Sequence, residues 1–449
     1  MEFISDLPVV GGFLSSAIAF VVVLGVVVFV HEYGHYIVGR WCGIRAEVFS
    51  MGFGPRLGAW VDRRGTRWQV SALPLGGYVK FVGDTDGSSR TDPKHLEALS
   101  EAERAHSFHG AALWRRALTV AAGPVANFIL SILVFGLIAL WAGVPADGAR
   151  VGEVSVLPGQ QASDLRRGDL ILELNGAPVA DFAELYEAAN EMDTAGPVRL
   201  LVERDGRRLE LTTPFPLPPL VQGVEPLSAA ANAGLKPGDF IRAADGERLH
   251  SFGDLRDVVL NSGGDELELE VVRGDVLLTL PITPREVERV NPDGTVETRV
   301  MIGVGGDVLI YPLTRTPTPW RAVAIGVERM WEIITLSLTG IGHIIAGNLS
   351  VDNLQGPLGI AQISGASAAQ GAGNLITLIA VISTAVGMLN LFPIPVLDGG
   401  HLLMFGYEAV AGRPPAESIL RIAMSLGLAM VLLLMLLATY NDLVRLLVS

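Results

Sequence analysis

The chain has 449 residues, 50% of them hydrophobic, with a mean hydropathy of +0.43, which fits a polytopic membrane protein carrying a soluble portion rather than an ordinary globular one. A formal net charge of −14 argues against a nucleic-acid partner. The single cysteine, Cys42, excludes an intrachain disulfide and a Cys-rich zinc site.

The first element is a run of apolar residues from Phe13 to Val38, long enough to span a bilayer. No basic n-region or small-residue cleavage site precedes it, so this span is expected to remain in the mature chain. Within it stands His31-Glu32-Tyr33-Gly34-His35. Residues i and i+4 share one helix face, so His31 and His35 can hold one metal ion together. Glu32 lies beside them, placed to act on a metal-bound water. A buried His pair satisfied by backbone carbonyls is the bland reading, but in hydrocarbon such a cluster has no water to satisfy it. Ionisable groups at that depth need partners or a task.

The loop from Gly39 to Arg116 follows. Trp68–Leu73 has strand character, Pro74-Leu75-Gly76-Gly77-Tyr78 is a turn-like break, and Tyr78–Val82 resumes a strand. A hairpin with an apolar tip beside a membrane site suggests a re-entrant element buried against protein. A plain cytoplasmic hairpin is the alternative. Asp84 to Ser107 is polar and expected to be exposed.

A second span runs from about Leu118 to Val144 and contains Gly123-Pro124 and Asn127. Arg40 and Arg45 follow the first span and Arg115 and Arg116 precede the second, which places their connecting loop in the cytoplasm. Arg413, between the third and fourth spans, agrees, whereas Arg445 is a counter-vote.

The insert beyond the second span contains a repeat. Gly168-Asp169-Leu170-Ile171, Asn175-Gly176, Phe182 and Leu185 recur seventy positions later as Gly238-Asp239-Phe240-Ile241, Asp245-Gly246, Phe252 and Leu255. The Asn-Gly and Asp-Gly pairs are hairpin turns, so two tandem β-rich modules are expected, joined near Pro214–Pro219. The stretch Pro226–Asp239 resembles the PDZ family; the first copy is shorter at Pro158–Asp169 and lacks the Ala-Gly-Leu step. PDZ domains bind extended peptides by strand addition, and a spacer that binds nothing is the alternative for either copy.

Trp320–Ala346 mixes apolar residues with Arg321, Glu328, Arg329 and Glu332, and reads as an amphipathic helix on the outer membrane surface. Asn348–Pro357 is a break. The third span, Leu375–Leu391, leads into Phe392-Pro393-Ile394-Pro395, and the fourth covers Ile419–Tyr440. A catalytic zinc usually takes three protein ligands. Asp398, in Leu397-Asp398-Gly399-Gly400, is the only acidic residue between Asp352 and Glu408 and is the candidate third ligand. Helix capping is its bland role, and His401 is a rival ligand. Asn390 can bind substrate backbone or a developing oxyanion, or bridge helices. His106, His109, His250 and His343 read as ordinary surface or interface histidines.

Together, HEYGH in the first span, NLFPIPVLDGGH at the third and the PDZ-like pair between them resemble the site-2 protease family, in its RseP-type branch of sigma-factor regulators. Gly52-Phe53-Gly54 and Pro74–Lys80 extend the likeness over nearly the whole chain. The resemblance implies a polytopic α-helical membrane protein with four transmembrane helices, a membrane-associated β-hairpin and two inserted PDZ-like domains. It implies one Zn2+ per chain, on His31, His35 and Asp398 with Glu32 as the base. It also implies hydrolysis in single-span membrane proteins, among them an anti-sigma factor already cut outside the membrane, and remnant signal peptides. The hairpin around Ala72–Val82 would present substrate as an added strand, which makes Gly76, Gly77, Tyr78 and Val79, with Asn390, the substrate-binding candidates. The PDZ pair would screen out bulky substrates and take peptide or periplasmic protein ligands. The implied setting is the bacterial inner membrane, with the PDZ pair periplasmic and the active site near the cytoplasmic side.

The resulting map is 1–38 first span, 39–116 loop with hairpin, 117–145 second span, 146–216 and 217–290 PDZ-like modules, 291–370 C-terminal region of the insert with the amphipathic helix, 371–412 third span with the LDG motif, and 413–449 fourth span and tail. Two rival functions are a PDZ scaffold whose metal only holds the fold together, and a metal transporter. The transporter reading leaves the repeat unexplained.

Overall fold

The computed structural model describes residues 10–84, 103–104, 106–157, 163–192, 196–291 and 294–448. These fall into two compact units, one of residues up to 137 with 319–341 and 351–448, the other of 138–318 with 342–350.

In the first unit, α1 (Val10–Trp41) and α2 (Leu113–Ala142) are joined by a β-ribbon, and α6 (Pro319–Ala346), α7 (Pro357–Ala369), α8 (Ala372–Asn390), α9 (Asp398–Ala411) and α10 (Glu417–Val448) follow after the insert. Among the described residues four helices are long and apolar enough to cross a membrane, at Leu14–Trp41, Leu113–Ala142, Ala372–Asn390 and Glu417–Leu446. These match the four expected spans. The second begins five residues early because Trp114, Arg115 and Arg116 suit an interfacial first turn.

Lipid offers helices no hydrophobic drive to associate, so close backbone approach and buried hydrogen bonds hold them together. A Cβ at Gly34 of α1 would fall 2.3 Å from the Ala122 carbonyl of α2. Between α2 and α8, Ser131 lies 2.6 Å from Thr384, and Ser383 donates to the Asn127 carbonyl at 2.9 Å. The helix α6 packs its N-terminal half on α2, where a Cβ at Gly326 would lie 2.3 Å from the Ile132 carbonyl. The helix α7 had no counterpart among the expected elements. Its first turn is held by Asp442 of α10, whose carboxylate accepts from the Gly356 and Gly359 amides at 3.1 and 2.9 Å.

The loop forms one long antiparallel ribbon, β1 (Ala46–Val61) with β2 (Arg67–Phe81). Its turn is at Asp62–Gly65, not at Pro74–Tyr78, which lies inside β2. The ribbon folds back on itself. Phe49 pairs with Val79 and also with Trp68, so Val48–Met51 lies between the two segments expected to pair directly. Gly52 and Gly76, at φ +84° and +133°, sit where the chain bends. Asp62 pins the turn, accepting from the Arg64 and Thr66 amides, Trp68 Nε1, and the hydroxyl of Tyr36 on α1. These donors hold its carboxyl below the ordinary range despite the opposing effect of burial. The expected exposure of Asp84–Ser107 fails at both ends. Asp84 and Ser107 are buried, Asp84 accepting from the Phe81 amide and lying 3.2 Å from His109 Nε2. Most of the stretch between them lies outside the described residues.

The second unit contains the two repeats. In the first, β4 (Ala149–Val154), β5 (Leu170–Leu174), β7 (Val198–Arg204) and β8 (Arg207–Thr213) form a sheet beside α3 (Phe182–Asn190). In the second, β9 (Val221–Val224), β10 (Phe240–Ala244), β12 (Leu267–Arg273) and β13 (Val276–Ile282) accompany α4 (Ala229–Ala233) and α5 (Phe252–Asn261). Each has its own apolar core. Each also has a buried ion pair at the same place, Asp169 with Arg204 and Asp239 with Arg273, both at 2.7 Å.

The segment after residue 290 does not leave the modules. After the hairpin β14 (Arg285–Val290) and β15 (Val296–Met301), β16 (Val304–Gly306) pairs with β9 of the second module, and β17 (Ile310–Pro312) pairs with β4 of the first. Thus Ile302 belongs to the second core, and Leu309 and Ile310 to the first.

Candidate active site

The site is assembled by elements of the first unit, its candidate ligands coming from α1 and α9. The α1 helix carries His31 and His35 one turn apart, on the face toward α2. Asp398 opens α9 after the proline-rich break that ends α8, and it caps nothing with its side chain. Gly399 and Gly400 let that break fold tightly: a Cβ at either would fall 2.2 Å from the Leu391 or Ile394 carbonyl.

The Nε2 atoms of His31 and His35 lie 3.2 Å apart and 3.1 and 3.4 Å from Asp398 Oδ2. These residues form a group whose ligand atoms all lie within 4.8 Å of one another. Asp398 Oδ2 is buried and receives no hydrogen bond. Three acceptor-capable atoms turned toward one point, one of them an orphaned carboxylate oxygen, suit a cation. His401, the rival ligand, lines the same cavity of about 240 Å³ but is outside that group.

The outer nitrogens of both rings are engaged. His35 Nδ1 lies 2.9 Å from the Thr119 carbonyl, which can only accept, so the Nδ1 bears the proton and Nε2 keeps its lone pair. His31 Nδ1 lies 3.2 Å from the side-chain amide of Asn127, which is fully buried. The Asn127 oxygen has no partner in its assigned orientation. Turning the amide over brings that oxygen to His31 Nδ1–H and leaves Nε2 free to ligate. The sequence places Asn127 in the second span, but nothing in it reveals that its partner is 96 positions away. Gly123, one turn earlier, makes the room: a Cβ there would lie 2.3 Å from His35 Nε2 and 2.9 Å from His31 Cε1.

Glu32 lines the same cavity, beside Val79 of the ribbon. Gly77 gives it space, because a Cβ there would fall 2.9 Å from Glu32 Cγ and 2.8 Å from the Ser50 carbonyl. Tyr78 also lines the cavity, its ring stacked on Phe53. Gly76 stands apart from the cavity lining, its backbone against the Phe53 ring. Asn390 reaches the cavity wall, but its Nδ2 donates to the Val386 carbonyl of its own helix at 3.0 Å. It is therefore engaged unless that bond opens.

The chain matches the profile of Peptidase family M50 over residues 19–434. A protein of Agrobacterium fabrum named as a zinc metalloprotease is 38% identical over 433 residues, 96% of each chain. The regulator of sigma-E protease RseP of Escherichia coli is 32% identical over 471 aligned positions, covering 97% of this chain and 99% of its own. The RseP of Salmonella typhimurium is 33% identical, covering 95% and 98%.

Proposed function

The chain belongs to peptidase family M50, and from that premise we propose that its zinc is bound once per chain by His31, His35 and Asp398, with Glu32 as the general base. It is a multi-pass membrane zinc metalloprotease of the site-2 type, similar to RseP. The observation that carries the assignment is the convergence of three ligand atoms from α1 and α9, with a carboxylate held alongside.

A zinc ion held by His31, His35 and Asp398 would supply Lewis acidity for the attacking water and the scissile carbonyl. Glu32 takes the water's proton and returns it to the leaving amine. Thr119 and Asn127 hold the imidazoles in the ligating tautomer. Gly77, Tyr78 and Val79 stand at the wall of the same cavity, supporting presentation of an unwound substrate as an added strand. Strand pairing exchanges the substrate's helical hydrogen bonds for sheet bonds and exposes its carbonyl. Asn390 is the candidate for gripping that backbone.

The substrates are single-span membrane proteins trimmed beforehand outside the bilayer, and an anti-sigma factor is a substrate in keeping with relatives named as regulators of sigma-E. The Lys/Arg bias favours a site near the cytoplasmic face with the two modules on the opposite side, and the likeness to RseP favours the bacterial inner membrane, with the modules periplasmic.

Two substitutions test this in purified, detergent-solubilised protein, with zinc quantified in parallel. Glu32→Gln is expected to keep the fold and full zinc while cleavage of single-span peptides falls at least about 100-fold. Robust cleavage would remove Glu32 as the base. Asp398→Asn is expected to lower bound zinc sharply, and full occupancy would point to His401 instead.

A further inference from the structure

The segment from the end of α1 to the start of β2 is basic in a chain whose formal net charge is −14. Residues 39–67 hold six arginines, Arg40, Arg45, Arg56, Arg63, Arg64 and Arg67, against the two acids Glu47 and Asp62. Arg40, Arg63 and Arg64 converge on one cleft of about 400 Å³, between the last turns of α1 and the turn that joins β1 to β2.

The cleft is organised by hydrogen bonds. Arg40 Nη1 donates to the Tyr36 hydroxyl at 2.6 Å, and that hydroxyl donates to Asp62 Oδ2 at 3.2 Å. Asp62 is the only carboxylate among the lining residues, and it is committed elsewhere. It also accepts from Trp68 Nε1 and from the Arg64 and Thr66 amides. Glu47, the other acid of the segment, is paired with Lys80 at 3.2 Å. Among the described residues, none of the three guanidinium groups forms an ion pair. Three cations around one committed carboxylate leave a net positive site, and the guanidinium fork matches phosphate.

The position of the cleft indicates what carries the phosphate. Arg40 stands in the last turn of α1, at the end of the apolar span Leu14–Trp41. Trp41 beside it and Trp114 at the start of α2 are both exposed, as suits tryptophans at headgroup level. Toward the middle of the span, Val22, Val26 and Tyr33 are exposed on the α1 face that leads to Arg40, opposite the face of His31 and His35. An apolar lane ending at a basic cleft suits a molecule with both characters. Scattered arginines would attract anionic lipid only diffusely, whereas here two elements hold them around one point.

We propose that this cleft binds an anionic phospholipid, its phosphate held between Arg40 of α1 and Arg63 and Arg64 of the ribbon turn, and an acyl chain lying along Val22, Val26 and Tyr33. The bound lipid ties the ribbon turn to α1 in addition to the Tyr36–Asp62 bond.

The test uses the full chain in uncharged detergent micelles, to which dioleoylphosphatidylglycerol is added. Peptide-resolved hydrogen exchange is followed at 60–67. No cleavage is read, so the outcome is independent of the zinc centre. The lipid is expected to slow exchange at 60–67 by about tenfold. Zwitterionic dioleoylphosphatidylcholine, and inorganic phosphate, which lacks the chains, should leave it unchanged. Arg63→Gln with Arg64→Gln is expected to raise the half-effective lipid concentration by about tenfold or more. Arg56→Gln with Arg413→Gln removes the same charge from exposed positions outside the cleft, and should move that concentration by less than about twofold. Exchange at 46–51 reports whether the ribbon keeps its pairing, and Arg40→Gln weakens the site from the helix side should the turn substitutions disturb it. No slowing by phosphatidylglycerol, equal slowing by phosphatidylcholine or inorganic phosphate, or an equal loss in the two paired variants would overturn the proposal.

Discussion

Asn127 and Gly123 act on the proposed zinc centre without contributing a ligand. One orients His31, and the other leaves the volume in which both imidazoles turn. Asn127→Leu is expected to weaken zinc binding by about 10–100-fold. Asn127→Asp, whose oxygen can still accept from Nδ1–H, should restore most of it. Competition with a chromophoric chelator measures both, and unchanged affinity in the leucine variant would make Asn127 a packing residue only. His31, Glu32 and His35 were legible because their spacing is local, and Asp398 because acidic residues are rare around it. Asn127 and Gly123 were visible as residues but not as partners, since their neighbours lie on another helix.

At the scale of elements, the modules owe part of their stability to an acid–base pair placed identically in each. Asp169 is buried against Arg204. Burial would raise its carboxyl, but Arg204 and the Arg166 amide outweigh that and hold it below the ordinary range. A depressed folded-state value contributes stability above the unfolded value near about 4, lost as pH falls through the folded value. The first module should therefore loosen on acidification below about pH 4. Asp169→Asn should flatten that dependence and lower the module's stability at neutral pH, because it removes the charge that pairs with Arg204. Hydrogen exchange of β5 and β7 in the full chain, at pH 5 and pH 3, reads both. An unaltered acid response in the variant would show that other carboxylates control it.

The ribbon is the element least readable in advance. Trp68–Leu73 and Tyr78–Val82 have strand character, and the glycines between them read as a turn. The chain instead bends there within one strand, because β1 supplies the pairing partner for both segments. Pairing between segments about 20 residues apart leaves no local signature, whereas a two-residue hairpin turn does. The same holds for β16 and β17, which return to modules begun far upstream.

For the whole molecule, the decisive question is whether the metal serves chemistry or the fold. The helices meet through glycines and buried serine, threonine and asparagine contacts, and the modules have their own cores. Removing zinc with a membrane-permeant chelator is therefore expected to abolish cleavage while the helical circular dichroism stays near its starting value. Re-addition of zinc should restore activity. Loss of helicity on chelation would favour the scaffold with a structural metal.

The order of the chain alone determined the four apolar helices, the repeat and the HExxH pair, because hydrophobic length, a fixed offset and helical spacing are written in neighbouring residues. The tertiary structure alone decided which distant side chains meet. Asn127 reaching His31 and Tyr186 closing on Ile310 each depend on backbone approach between segments remote in sequence. Local propensity carries no information about such approach; packing and hydrogen-bond satisfaction set it.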